Sequence, residues 1–198
     1  MDQPQRNRKS IRLKDYDYSH PGSYFVTVLV RNRECLLGEV IKGEMKLSEM
    51  GKIVENVWNE LPTRYPCVGL DEFVIMPNHI YGIIVITNND VVTLPVRAIH
   101  ELPLHTGSLH TGLTMPIHTG LTEQQKRRQM LLSKIVGFFK MNTAKQINRI
   151  RNTPSLRFWH RNYYEHILRT EEDLFRTRQY ITSNPQNWEQ DEENPDCF

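Results

Sequence analysis

Two places in the chain put residues suited to phosphate chemistry at spacings that let them act together. The first is Met76-Pro77-Asn78-His79-Ile80-Tyr81. In a strand, residues i and i+2 face the same side, so His79 and Tyr81 project together from one face of a sheet. Ligands paired in this way can hold a divalent cation against a phosphate. A lone His at a strand start is more often a hydrogen-bonded structural residue, and this segment by itself favours that reading. The second place is Tyr180 with Asn184, four residues apart and so on one face of a helix. A tyrosine attacking a DNA phosphate leaves a covalent phosphotyrosine, while a metal offsets charge on the non-bridging oxygen. A phenol titrates near pH ~10, so an adjacent cation is also a way to activate it. Tyr equally packs its ring on sheets, and periodicity does not choose between the two readings.

The surrounding chain contains elements able to position these residues. Residues 23–30 form a β-branched and aromatic run entered through Pro21-Gly22, which predicts a strand after a turn. Extended pieces at 35–41 and 44–47, joined by Lys42-Gly43, suggest a hairpin. Ser48 can cap a helix in which Met50, Ile53, Val54, Val57, Trp58 and Leu61 recur at helical spacing, closed by Pro62. Strand-like runs at 70–76 and 79–86 flank Pro77-Asn78, the second nearly all apolar, as in a central buried strand.

From 87 to 121 turn formers dominate, and a His-Thr-Gly unit recurs at His105, His110 and His118. The stretch from about 88 to 121 reads as a flexible insert, and its histidines as repeat drift more than as metal ligands. A helix is predicted over 122–150, breaking near Gly137, followed by an extended aromatic stretch at 158–168. Thr170 with Asp173 resembles a capping box, opening a last helix to about Ser183 that Asn184-Pro185 stops. The predicted class is α+β, with all 198 residues in one domain.

Charge is more informative in its distribution than in its sum, a net +2. Lys126, Arg127, Arg128, Lys134, Lys140, Lys145, Arg149, Arg151, Arg157, Arg161 and Arg169 share their stretch with a single acid, Glu165, while the tail after Glu189 is acidic. Clustered Lys and Arg suit a polyanion, because phosphate contacts release counterions. A solvated helix face is the bland alternative. Phe158 and Trp159 could stack on bases or fill the core. Cys35, Cys67 and Cys197 form no metal or redox pattern and predict free thiols in a reducing compartment. A polar N-terminus without an apolar run predicts no secretory leader, and no stretch suits a membrane span. The expectation is a soluble, cytoplasmic protein.

Three ordered blocks resemble the HUH-type single-tyrosine transposases, most closely the REP-associated tyrosine transposases. Met76 to Tyr81 resembles their Met-Pro-Asn-His-hydrophobic-His segment. Phe158-Trp159-His160-Arg161-Asn162-Tyr163-Tyr164-Glu165-His166-Ile167-Leu168-Arg169 resembles their tryptophan–aromatic–Glu/Asp-His block. Arg178-Gln179-Tyr180-Ile181-Thr182-Ser183-Asn184-Pro185 resembles their terminal tyrosine helix. The resemblance spans most of the chain outside the His-Thr-Gly insert. It implies a ferredoxin-like antiparallel sheet with helices packed on it, Tyr180 as nucleophile and His79 as first metal-binding His. Asn184 stands where a third ligand is supplied, with Pro185 able to pull it out of helical geometry. Tyr163 and Tyr164 are secondary nucleophile candidates, or else support the sheet or stack on a base.

The implied cofactor is Mg²⁺ or Mn²⁺ and the implied partner is single-stranded or hairpin, REP-like DNA. DNA-binding candidates are Arg127, Arg128, Lys134, Lys140, Lys145, Arg149, Arg151 and Arg161, and either monomer or homodimer is compatible. One position departs from the pattern: Tyr81 stands where the second His belongs. A phenol must lose its proton to bind a metal well. The alternatives are a weakened site, a phenolate ligand, or a DNA-binding protein that has lost cleavage.

Overall fold

The computed structural model describes residues 16–87 and 130–194. The chain runs β1 (Gly22–Leu29), β2 (Gly38–Ile41), β3 (Glu44–Leu47), α1 (Glu49–Asn59), α2 (Leu61–Arg64), β4 (Val68–Ile75), β5 (His79–Ile86), α3 (Leu131–Ile150), β6 (Tyr164–Leu168) and α4 (Glu171–Ser183). The main sheet has the order β4-β5-β1-β6, and each neighbouring pair is antiparallel. Taken with the helices between its strands, this is the ferredoxin-like βαββαβ arrangement that the resemblance implies. β2 and β3 make the separate hairpin expected around Lys42-Gly43.

Alternation sets the two faces of the sheet. Tyr24, Val26, Val28, Ile80 and Ile84 point to one side, where they join Val54, Val57 and Trp58 of α1 and Ile135, Val136 and Phe139 of α3 in the larger core. Trp58 stacks on Phe73 with centroids 4.5 Å apart and meets Phe139 edge-on. It lies over Gly82, where a Cβ would come 2.5 Å from the indole, so the central strand carries no side chain at that point. On the opposite face Tyr81, Ile83, Val85 and Leu168 pack under Ile181 of α4. All of β5 is buried, as expected for a strand covered on both sides.

Both predicted caps form. The Ser48 hydroxyl accepts from Gly51 N at 3.1 Å, and that of Thr170 from Asp173 N at 3.1 Å, contacts typically worth about 1 kcal/mol each. Other expectations need correction. The helix over 131–150 is continuous through Gly137, a solvent-facing position where a Cβ would meet nothing within 4 Å. Of the extended stretch at 158–168, only Tyr164–Leu168 joins the sheet, with an isolated bridge between Val30 and Trp159. Asn184-Pro185 does not stop the chain's helical course. Asn184 keeps helical angles (φ −61°, ψ −39°) and a 3₁₀ segment, Asn184–Gln190, follows; proline is tolerated in a first turn, where its missing N–H has no partner to lose. The His-Thr-Gly units, Arg127 and Arg128 lie outside the described residues.

Candidate active site

β5 begins directly out of a tight turn in which Met76 N donates to His79 O at 2.8 Å. Asn78 is fully buried there. Its amide nitrogen donates to the carbonyls of Glu193 (2.7 Å) and Arg33 (3.2 Å), which leaves Oδ1 facing Nδ1 of His79 at 2.7 Å. With both amide hydrogens directed to carbonyls, Oδ1 can only accept, so Nδ1 carries the imidazole proton and Nε2 keeps its lone pair. His79 is fully buried. That burial holds its pKa well below the ordinary value, against the attraction of Asp191, so the ring is neutral at pH 7.

Tyr81 lies beside it on the same face, ring centroids 4.4 Å apart. Its hydroxyl donates to Asp191 Oδ2 at 3.3 Å and accepts from the Tyr180 hydroxyl at 3.0 Å. Burial above all, then the hydrogen bond from Tyr180 and the charge of Asp191, drive the Tyr81 pKa far upward. Tyr81 is therefore a protonated phenol here. Tyr180 is about half exposed, at 47%. Burial raises its pKa too, while the hydrogen bonds with Tyr81 and Asn184 pull the other way.

α4 is fixed by a bidentate pair, Arg178 Nε and Nη2 donating to Asp71 Oδ1 and Oδ2 at 2.9 and 2.6 Å. Asp71 sits where the register of β4 on β5 shifts, between Leu70 and Phe73. Irregularities of this kind re-aim side chains out of a strand. A groove of about 320 Å³ opens beside Tyr180, lined by Phe25, Tyr164, His166, Arg176, Thr177 and Tyr180. Arg176 is held by Glu172 one turn earlier.

The chain that leaves α4 returns over His79. Asn184 is buried, its Oδ1 without a hydrogen-bond partner, as is Nε2 of His79. Asp191 Oδ2 stands 3.9 Å from that Nε2, and Asp191 Oδ1 accepts from Glu193 N at 2.7 Å. The Glu193 carboxylate pairs with Arg33 at 2.9 Å. Among the described residues no three His, Cys, Asp or Glu side chains converge. An imidazole nitrogen and a carboxylate oxygen thus face one another, with the buried Asn184 amide at the end of α4.

Sequence reading thus brought His79, Tyr81, Tyr180 and Asn184 to one face and missed Asp191, Asp71, Arg178 and the structural role of Asn78. Asp191 was read only as part of an acidic tail. The basic candidates stand elsewhere. Lys134, Lys145 and Arg149 are exposed on α3, which packs on the far side of the sheet from Tyr180, with Arg151 following its end. Lys140 donates to the carbonyls of His160, Arg161 and Asn162 at 2.8, 3.2 and 3.3 Å, and Arg161 itself is exposed. Phe158 and Trp159 are not available for base stacking: each is 3% exposed, and the indole donates to Thr143 Oγ1 at 2.8 Å. Tyr163 meets Ser133 on the α3 side, whereas Tyr164 lines the groove.

Known proteins with this geometry narrow the reading. The chain is 37% identical over 186 residues to a Haemophilus influenzae protein described only as uncharacterized, covering 94% of this chain and 92% of that one. The two belong to one family. No profile of a described family matches the chain. Among solved structures, a REP-associated tyrosine transposase bound to a REP hairpin superposes with a TM-score of 0.55 at 15% identity, over 89% of this chain and 73% of that one. The chain has the fold of a REP-associated tyrosine transposase. Within that fold the Tyr180 helix lies against the strand that carries His79. Among the described residues no helix is long and apolar enough to cross a membrane.

Proposed function

We propose that the chain is a metal-dependent DNA transposase or endonuclease acting on single-stranded or hairpin DNA through a covalent 5′-phosphotyrosine. The observation that carries the reading is the placement of a half-exposed Tyr180 hydroxyl 3.0 Å from Tyr81, on the face that also holds His79 and at the edge of an aromatic and basic groove. Phe25 and Tyr164 offer ring faces to a base, and Arg176 and His166 offer donors to its phosphate. The solved transposase in its complex with a REP hairpin supports DNA as the partner.

In the cleavage step Tyr180 Oη forms a bond to phosphorus and the bond from phosphorus to the 3′-oxygen breaks. The 3′-oxygen leaves with a proton as a free 3′-OH, and the phenolic proton of Tyr180 passes to solvent. Tyr81 orients the attacking hydroxyl by accepting its hydrogen bond. A divalent cation suits the adjoining corner, because Nε2 of His79 and Oδ1 of Asn184 are buried polar atoms without partners. When bound, Mg²⁺ or Mn²⁺ supplies positive charge to a non-bridging phosphate oxygen.

The test is incubation with Mn²⁺ and hairpin-tipped single strands, read on a denaturing gel. A covalent adduct is expected from the native protein and none from Tyr180→Phe. Binding without any adduct would instead favour a DNA-binding protein that has lost cleavage, a reading that the phenol at position 81 supports.

A further inference from the structure

We infer that Asp191 is the anionic ligand of a divalent-cation site completed by Nε2 of His79 and Oδ1 of Asn184. The inference rests on the metal-dependent reading above and concerns which residues of this chain serve it.

Asn78 determines where the hydrogens around His79 lie. Asn78 directs its two amide hydrogens to the carbonyls of Arg33 and Glu193, so its Oδ1 fixes the imidazole proton on Nδ1. Nε2 is then a bare acceptor. It looks across 3.9 Å at Asp191 Oδ2, a carboxylate oxygen that accepts from the Tyr81 hydroxyl, and the two side chains are 0% and 2% exposed. That distance is too long for a hydrogen bond, and in this tautomer neither atom has a hydrogen to share. Two lone pairs opposed in a dry corner are unfavourable unless a positive charge lies between them.

A separation of 3.9 Å fits one ion touching both atoms, since bonds of about 2.0–2.2 Å from imidazole nitrogen and carboxylate oxygen can together span roughly 4 Å. Asn184 adds a buried, partnerless carbonyl oxygen on the same side of the sheet. One imidazole with two oxygen donors suits Mn²⁺. Tyr81 then falls outside the coordination sphere, its hydroxyl hydrogen-bonded to the ligating Asp191 oxygen, as outer-sphere donors commonly are.

Calorimetric titration of Mn²⁺ into the full chain tests this. Asp191→Asn keeps the shape and can still accept from Tyr81 and from Glu193 N, so the metal-free protein should melt close to the native one. Its Mn²⁺ affinity should nonetheless fall at least about tenfold, the lower end of losses seen when only an outer-sphere partner is removed. His79→Ala should lose as much, and Glu192→Gln, an exposed acid next door, should change nothing. A reading independent of variants comes from electron paramagnetic resonance of Mn²⁺ on the native protein, where coupling to a single directly bound nitrogen is expected.

Native-like affinity in Asp191→Asn beside failure in His79→Ala would remove Asp191 from the site and leave the metal reading intact. An equal loss in Glu192→Gln would make the effect one of general tail charge and overturn the assignment. Two bound nitrogens would overturn the donor set. No Mn²⁺ binding by the native protein would overturn this site together with the metal-dependent reading, while leaving the Tyr180-dependent adduct as a separate question.

Discussion

The two faces of the sheet are built on different terms. On one, Trp58, Phe73, Phe139 and Trp159 interlock with aliphatic residues from α1, α3 and three strands, and the apolar area is continuous. On the other, a small apolar patch under Ile181 gives way to Asn78, His79, Asn184 and Asp191, all buried and all polar. The first face is stabilised by area removed from water, a non-directional force that tolerates shifts of a few tenths of an ångström. The second depends on hydrogen bonds whose donors and acceptors must be matched one by one, since each unmatched buried group costs about 1–3 kcal/mol. Among the described residues Trp58 Nε1 is the partnerless atom of the first face, whereas the second holds Nε2 of His79 and Oδ1 of Asn184.

That contrast can be broken most severely at Trp58. Trp58→Ala removes the ring that stacks on Phe73 and touches Phe139, and it should cost about 3–5 kcal/mol, as large-to-small aromatic changes in cores do. Urea unfolding measures the loss. Where the variant remains folded, the yield of covalent adduct per folded molecule should match the native protein; a yield that falls in step with stability would mean that the two faces are not independent.

A smaller effect on stability, but a larger one on chemistry, is expected from Asp71→Asn. The change breaks the bidentate pair that ties α4 to β4, in which Arg178 and Asp71 side chains are 20% and 8% exposed. Partial exposure limits the cost to about 1–2 kcal/mol. Tyr180 rides on the same helix two residues after Arg178, so adduct formation should slow by more than the fraction unfolded explains. Adduct kinetics unchanged in a folded variant would show that α4 is positioned by packing alone.

The smallest effect concerns Lys140 on the scaffold side. Burial, then the charge of Arg157, lowers its pKa to about 8, against ~10.4 for an unfolded lysine. Between those values the unfolded chain binds more protons than the folded one, so stability should rise with pH through that window; below about pH 8 the penalty is fully present. Lys140→Met should flatten this rise in urea titrations between pH 8 and 10. A native curve already flat there would mean that the three carbonyls it meets offset its burial.

How far the sequence revealed each face follows from the same difference. Helical spacing from Met50 to Leu61 and the alternation of β1 and β5 are local, repeated signals, so the scaffold was readable, down to the caps at Ser48 and Thr170. Spacing of two on a strand and four on a helix put His79 with Tyr81 and Tyr180 with Asn184 on shared sides, but it was the family resemblance that singled them out. Asp191 was not, because no periodic signal links a carboxylate in a terminal acidic run to a histidine more than 100 residues earlier. Trp159, left open between base stacking and core, is covered by Thr143 and Phe139 through pairing that only the tertiary structure supplies.

Asn78 carries a consequence for timing. One amide joins the carbonyl of Arg33, the imidazole beside it and the carbonyl of Glu193, a residue 115 positions further along the chain. Contacts so far apart in sequence form late, because the intervening segment must be ordered before they stabilise anything. During synthesis the strands can pair and α1 can dock while His79 still lacks its cover. The corner closes only when residues 184–194 have emerged and folded back over β5. The polar corner around His79 is thus completed late, by a segment made more than 100 residues after the strand it covers.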